Sequence, residues 1–161
     1  MAYQKLQVSS AVAVIPSDYI NIPNVAASFT SQTTGSYATG LEDTNANFTD
    51  PANQVQIGDI VYETTSLSII GRVISIDSAT ELSLDDGNGT TVTIGATRNY
   101  AIYKNSSNGC VLYVGVAGDV KVEMANGTIV TFTAAANGYH PIQVKKVFAT
   151  DTTATNMVAL W

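Results

Sequence analysis

The sequence predicts an all-β fold, and three observations support that class. Helical periodicity is nearly absent, because no window of roughly a dozen residues keeps apolar side chains on one helical face without Gly, Pro or β-branched runs. Short runs of alternating apolar and polar residues recur, most clearly after Cys110. Asn-Gly pairs, which suit the positive φ angles of tight hairpins, occur at 88–89, 108–109, 126–127 and 137–138. We therefore expect at least some of these pairs to connect antiparallel strands.

The N-terminal part contains two extended pieces, each closed by a proline. The first runs from residue 5 to residue 15 before Pro16, and the second covers 19–22 before Pro23. A stretch rich in Ser, Thr and Gly follows at 26–39, which indicates a linker or an edge strand.

Five short runs in the middle of the chain predict a small barrel. They are strand-length, lie close together, and cover 54–62, 68–76, 81–84, 91–94 and 99–103. Five short strands with tight connections are typical of SH3-like or OB-like barrels. From Cys110 the pattern changes to a β-meander that ends on Trp161, so the terminus is expected to lie in its own sheet.

These runs predict two bodies rather than one. The N-terminal piece is too short to bury a core alone, so it must pair with another segment. We expect residues 1–30 and 106–161 to form a jelly-roll-like β-sandwich, with 36–104 inserted as a small SH3/OB-like β-barrel. In the alternative arrangement the bodies follow in tandem, and residues 1–30 form an arm that grips a neighbouring subunit.

The composition excludes two classes of partner. Charged residues make up 12% of the 161 residues, and the net charge is −6. Because nucleic-acid binding needs clustered Lys and Arg, and only seven are present and scattered, no nucleic-acid partner is expected. A bilayer-spanning segment needs about 18 consecutive apolar residues, and no run of this length occurs, so no membrane partner is expected. The N-terminal residues do not have the pattern of a signal segment, so we expect a cytoplasmic origin.

The sequence offers no catalytic constellation, so we expect no enzymatic activity. His140 is the only histidine, which excludes a multi-histidine metal site within one chain, and no serine occupies a Gly-x-Ser-x-Gly elbow. The acidic run 85–89 resembles part of a calcium loop but lacks the remaining oxygen ligands, so a hairpin turn is expected there. No cofactor and no metal are expected.

Other singled-out side chains have ordinary structural interpretations. Four acidic residues, at 42, 43, 59 and 63, are expected to be solvated. The single cysteine, Cys110, is expected to be buried as a small apolar residue. Four tyrosines fall inside predicted strands and are expected to pack in the core or at subunit contacts; they are Tyr62, Tyr100, Tyr103 and Tyr113.

Several segments carry a family likeness. In the bracketing parts they are 14–18, 21–23, 112–120, 130–132, 138–142, 144–147, 149–155 and 158–161. Together they resemble the head-spike base proteins of tailed phages and gene transfer agents. The central segments 41–48, 55–62 and 73–84 are similar to a β module of structural proteins from marine phages, cyanophages in particular. One departure is Asp151, where the family pattern leads us to expect glycine.

The resemblance implies a structural, non-enzymatic virion protein that decorates the capsid, as a head-spike base or a cement protein. It implies synthesis in a bacterial host cytoplasm, a final location on the capsid surface, and the major capsid protein as a partner. Self-association as a trimer or pentamer and contact with a spike fibre protein are also expected. The residues we expect at the capsid or subunit interface are Tyr3, Leu6, Val8, Tyr139, His140 and Trp161.

A second hypothesis is a receptor- or carbohydrate-binding module on a tail or spike. Its binding site would consist of the tyrosines of the predicted barrel together with the 85–89 loop.

Overall fold

The computed structural model describes residues 8–23, 27–67, 70–105 and 109–161. Within these ranges the chain forms twelve strands and one 3-10 turn, at Pro51–Asn53. In chain order the strands are β1 (Ala11–Ala13), β2 (Ala27–Gln32), β3 (Gly40–Glu42), β4 (Ile60–Glu63), β5 (Ile70–Ile76), β6 (Glu81–Asp85), β7 (Asn99–Tyr103), β8 (Cys110–Val114), β9 (Gly118–Met124), β10 (Ile129–Ala135), β11 (Gly138–Val147) and β12 (Val158–Leu160).

The strands form two antiparallel sheets of six strands each, which confirms the all-β class and is consistent with a β-sandwich. The first sheet has the order β1-β12-β8-β11-β9-β10, and the second has the order β2-β7-β4-β5-β6-β3. The first sheet joins the start of the chain to its end, because Val12 in β1 pairs with Ala159 in β12. Independent folding of two bodies stays a prediction.

Residues 27–30 lie in the second sheet, although the sequence analysis grouped them with the N-terminal piece. Ala27 and Phe29 belong to β2, which pairs with β7. Strand β2 therefore forms an edge of the second sheet. After β2 the chain continues to β3, where the N–H of Thr34 donates to the carbonyl of Glu42 at 3.0 Å. This bond links the two ends of the sheet order, and a closed SH3/OB-like barrel stays a prediction.

Each sheet has its own apolar core. The first core collects alternate residues of β8 and β9 with side chains from neighbouring segments; it includes Val14, Ile22, Cys110, Leu112, Val114, Val120, Val122, Val144, Val147, Met157 and Ala159. The second core includes Leu41, Phe48, Val55, Val61, Val73, Leu82, Leu84, Ile94, Tyr100 and Ile102. The period-two alternation of the strands produces both cores, because every second side chain faces the same side of a sheet.

A third, smaller cluster joins the N-terminal segment to the second sheet. Ile20 is buried against Ile60 and Tyr62 of β4, and Val12 and Ile15 pack beside them. Burial raises the pKa of the Tyr62 phenol well above its ordinary value, although the hydrogen bond with the Ile15 backbone works in the opposite direction. The two sheets are therefore connected by packing as well as by the chain.

The turn between β9 and β10 is the hairpin that its Asn-Gly pair predicts. Gly127 has a φ of 88°, and its N–H donates to the carbonyl of Met124 at 2.9 Å. The side-chain oxygen of Asn126 accepts from the N–H of Thr128 at 3.0 Å. The pair at 137–138 does not form a hairpin, since β9 lies between β10 and β11 in the sheet. Asn108 lies outside the described residues.

Replacing Ile20 with alanine tests the connection between the sheets. Because the side chain is 5% exposed and fills the third cluster, Ile20→Ala is expected to lower the free energy of unfolding by about 2 kcal/mol or more. Urea unfolding followed by circular dichroism measures this change. The matched control is Tyr19→Ala at the neighbouring position, which is 53% exposed and should change stability little. Equal effects of the two substitutions would contradict the packing role.

Candidate interaction surface

The four predicted interface residues that the structure describes lie at two places, along β11 and beside the paired strands β1 and β12. Tyr139 is 67% exposed in β11, beside His140, whose Nε2 lies 2.9 Å from the Ala136 carbonyl oxygen. Val8 is 44% exposed and precedes β1, and Trp161 follows β12. Tyr3 and Leu6 lie outside the described residues.

Trp161 is anchored by its backbone and only partly exposed. It exchanges hydrogen bonds with Ser10, with N–H to oxygen distances of 3.1 and 3.2 Å, and its carbonyl also accepts from the N–H of Ser9. The indole packs against the first core. The last residue therefore extends the pairing of β1 with β12, as expected for a terminus that lies inside its sheet.

Strand register places four uncharged side chains in one line across the first sheet. Ala13 pairs with Val158, Val158 pairs with Tyr113, and Tyr113 pairs with Tyr139. Directly opposed residues of antiparallel strands share a face of the sheet. We call this line the apolar row; it consists of Ala13, Val158, Tyr113 and Tyr139. Three of its members are partly exposed and Tyr139 is largely exposed, so the row is open to contact.

The two tyrosines of the apolar row pack edge to face. Their ring centroids lie 5.2 Å apart, and the ring planes meet at 66°. This geometry is favourable for aromatic pairs and holds each ring in a fixed orientation. A rigid aromatic pair with a polar hydroxyl on each ring is a typical contact element of protein interfaces.

Most charged side chains of the first sheet take part in ion pairs. Glu123 accepts ion pairs from Lys145 at 2.7 Å and from Lys146 at 3.0 Å. Its hydrogen bond from Lys145 is the main reason that the pKa of Glu123 lies below its ordinary value. The Lys121 ammonium lies 3.0 Å from a carboxylate oxygen of Asp151 and forms a further ion pair. The residues of the apolar row contribute no charge, so a partner can cover them without burying an ion.

The expectation of solvated acids at 43, 59 and 63 is wrong. Asp43, Asp59 and Glu63 are 0%, 4% and 0% exposed. Asp43 accepts a 2.8 Å hydrogen bond from the Tyr100 phenol, and Asp59 lies 2.9 Å from the Lys104 ammonium. Each of these two carboxylates is therefore paired with a nearby donor group and has a structural role. Glu42 alone of the four is only partly buried.

Glu63 closes the turn that follows β4. Its carboxylate accepts from the N–H groups of Thr65 and Ser66, both at 3.0 Å, and from the Ser66 hydroxyl. Burial by itself would raise the pKa of Glu63, but these donors outweigh burial and hold the pKa below its ordinary value. The ionised form is therefore the form that the fold prefers.

The acidic run at 85–89 forms a turn, as expected. Asp85 is held by Arg72, which donates through Nε at 3.1 Å and through Nη2 at 2.7 Å. Asp86 accepts from the N–H groups of Asn88 and Thr90. The oxygens that a calcium loop would need are thus engaged within the turn. Among the described residues, no three His, Cys, Asp or Glu side chains are grouped so that they could hold a metal ion.

Two of the tyrosines invoked for a sugar-binding site lie in the interior, whereas Tyr103 is only partly buried. Tyr62 is 2% exposed and Tyr100 is 1% exposed, and the phenol of Tyr100 donates to the buried Asp43. Tyr62 cannot stack on a ligand without opening of the third cluster, and Tyr100 cannot do so without opening of the second core. Their burial confirms the expectation of core packing and removes them from the second hypothesis.

A cleft of about 670 Å³ lies over the 3-10 turn of the second sheet. Its lining is mixed, with polar residues such as Thr49, Gln54 and Lys104 beside apolar residues such as Val55 and Ile76. The Lys104 ammonium donates to the Gln54 carbonyl and to Asp59, so its charge is already compensated. The only aromatic lining residue, Phe48, is 2% exposed.

Comparisons with known proteins leave the surface to be interpreted from its own geometry. Protein-family models, curated proteins and solved structures contain no match for this chain. The described residues include no helix with the length and apolar character needed to span a membrane.

Replacing Glu63 with glutamine tests the buried carboxylate. The amide places an NH2 group against backbone donors, so Glu63→Gln is expected to lower the unfolding free energy by about 1–3 kcal/mol at neutral pH. Because the folded pKa lies below 4.5, this contribution is complete above pH 4.5 and is lost as pH falls through the lowered folded pKa.

The stability gap between the native chain and Glu63→Gln should therefore shrink on acidification, as measured by thermal unfolding at a series of pH values. Glu42→Gln in the same sheet, at a partly buried position, serves as the control. A gap for Glu63→Gln that does not change with pH would show that its ionisation does not contribute.

Proposed function

We propose that this protein is a non-enzymatic structural protein of a phage virion that decorates the capsid, as a head-spike base or a cement protein. It acts by adhesion and by homo-oligomerisation. The observation that carries the proposal is the apolar row, because it lies on the sheet built from the segments that resemble head-spike base proteins. Tyr113, Tyr139 and Val158 all belong to those segments.

The physical task of such a protein is to hold a surface without chemistry. A rigid β framework keeps the row in place, and contact with the major capsid protein or with symmetry mates would bury it. Individual contacts can be weak when several copies bind together, because the first contact raises the effective concentration of the others. A trimer or pentamer on the capsid surface fits this requirement, with a spike fibre protein as a further partner.

The receptor- or carbohydrate-binding alternative has less support. Its proposed site needs the tyrosines of the predicted barrel and the acidic run at 85–89. Tyr62 and Tyr100 are buried, Tyr103 is partly buried, and Asp85 is bound by Arg72. The apolar row belongs to the other sheet. Adhesion by the first sheet is therefore the function that we favour.

Capsid binding by the apolar row can be measured by co-sedimentation with shells of the cognate major capsid protein. Tyr139→Ser is expected to weaken binding by about tenfold or more, because removal of a central aromatic contact typically has that effect. Tyr19→Ser is the matched control, since Tyr19 is 53% exposed and lies outside the row. Failure of the native chain to bind shells, or equal losses for the two variants, would contradict the proposal.

A further inference from the structure

Strand β10 is an open edge of the first sheet. It covers Ile129–Ala135 and is the last strand in the order, with β9 as its neighbour. Four of its side chains are exposed, namely Ile129, Thr131, Thr133 and Ala134. In the described parts of the chain no strand pairs with its far side. A row of backbone N–H and C=O groups is therefore presented to solvent.

The edge lacks the features that usually prevent edge-to-edge pairing. Its seven residues include no charged residue and no proline, and Ile, Val, Thr and Phe favour extended backbone. A bulge between Phe132 and Ala135 limits the regular stretch at one end. There Ala134 has a φ of 50°, and its N–H donates to the Asp119 carboxylate at 2.7 Å. The regular open stretch is therefore 129–133.

The direction of the backbone groups follows from the adjoining turn. The N–H of Met124 donates to the carbonyl of Thr128 at 2.8 Å, so these two residues form a hydrogen-bonded pair. Bonded and non-bonded pairs alternate along an antiparallel ladder. Val130 and Phe132 therefore direct their N–H and C=O groups at β9. The backbone groups that point away from β9 belong to Ile129, Thr131 and Thr133.

We infer that β10 pairs antiparallel with β10 of a second copy of this chain, about a twofold axis at Thr131. In this register Thr131 faces Thr131 of the second copy, and Ile129 faces Thr133. All three outward residues on each strand are then in hydrogen-bonded positions. A shift by two residues in either direction leaves one outward residue of each strand unpaired, so the register centred on Thr131 makes the most bonds.

A second copy fits this edge because the open stretch is complementary to itself. The chain carries a net charge of −6, but none of that charge lies on β10, so the twofold places no like charges opposite each other. The cross-strand pairs are Thr with Thr and Ile with Thr, and β-branched residues suit such positions. An isologous contact of this kind is closed by its twofold axis, so the assembly stops at two copies of the chain.

The pairing goes beyond the proposed function and does not depend on it. β10 is two strands away from β11, the nearest strand of the apolar row, so both surfaces can be occupied at once. A cyclic trimer or pentamer would use other contacts, and the twofold would join one copy in each of two rings. Self-association in the absence of capsid tests the pairing, whereas shell binding tests the proposed function.

The experiment introduces charged residues at the twofold axis. Dimerisation of the full chain is measured by sedimentation equilibrium over a dilution series. The native chain is expected to dimerise. Thr131→Lys and Thr131→Glu should each weaken dimerisation by about tenfold or more, since each places two like charges together. An equimolar mixture of the two variants should recover dimers, because residue 131 then meets the opposite charge.

Two further variants complete the test. Thr131→Pro removes the outward N–H without removing a bond to β9, so it should also weaken dimerisation without lowering the thermal stability of the monomer. Thr30→Lys changes an exposed threonine on β2, an edge of the other sheet, and should leave dimerisation unchanged. A monomeric native chain, a mixture that stays monomeric, or an equal effect of Thr30→Lys would each overturn the inference.

Discussion

The segment between β1 and β2 holds the molecule together because its side chains face both sheets. Val14 and Ile22 enter the first core, whereas Ile15 and Ile20 pack against β4 of the second sheet. Backbone hydrogen bonds hold this segment on the first sheet. In one of them the N–H of Ile22 donates to the Lys145 carbonyl at 2.8 Å. An extended chain with alternate side chains can serve two cores at once. The relation of the sheets therefore depends on about ten residues near the N-terminus.

Buried acids explain how a protein with few charges keeps its loops in place. Asp43, Asp59, Glu63 and Asp85 are all less than 5% exposed, and each accepts hydrogen bonds from the turn or strand beside it. A carboxylate that accepts several donors replaces the water that those donors would otherwise bind. The surface is left with fewer charges, which makes broad contact between copies or with a shell less costly in desolvation.

Much of the secondary structure could be predicted from the alternation of apolar and polar residues and from turn residues such as Asn-Gly. Which residues lie beside each other on neighbouring strands could not be predicted in this way. The run at 99–103 coincides with β7, and the turn at Asn126 is the expected hairpin. The predicted strand at 91–94 forms only an isolated bridge between Asp85 and Thr91, although the N–H groups of Val92 and Ile94 donate to the carbonyls of Leu84 and Gly40. The burial of Asp43 depends on Tyr100, which is distant in sequence, so local pattern gave no signal of it.

The residues of the candidate surface could likewise be predicted only in part. Tyr139 was among the residues expected at an interface. Its neighbours Val158 and Ala13 come from opposite ends of the chain, and only the strand order places them beside it. Asp151, where the family pattern led us to expect glycine, has a φ of 65°, which lies in the left-handed region that glycine favours.

The single cysteine makes the first core open to chemical observation. Burial raises the pKa of the Cys110 thiol to about 12, and its Sγ donates to the Val144 carbonyl at 3.2 Å. A thiol in this state is almost never a thiolate at neutral pH, so alkylating reagents cannot attack it while the core is closed. The rate of its modification therefore reports how often β8 and β11 separate, which gives a direct kinetic measure of local opening in the first sheet.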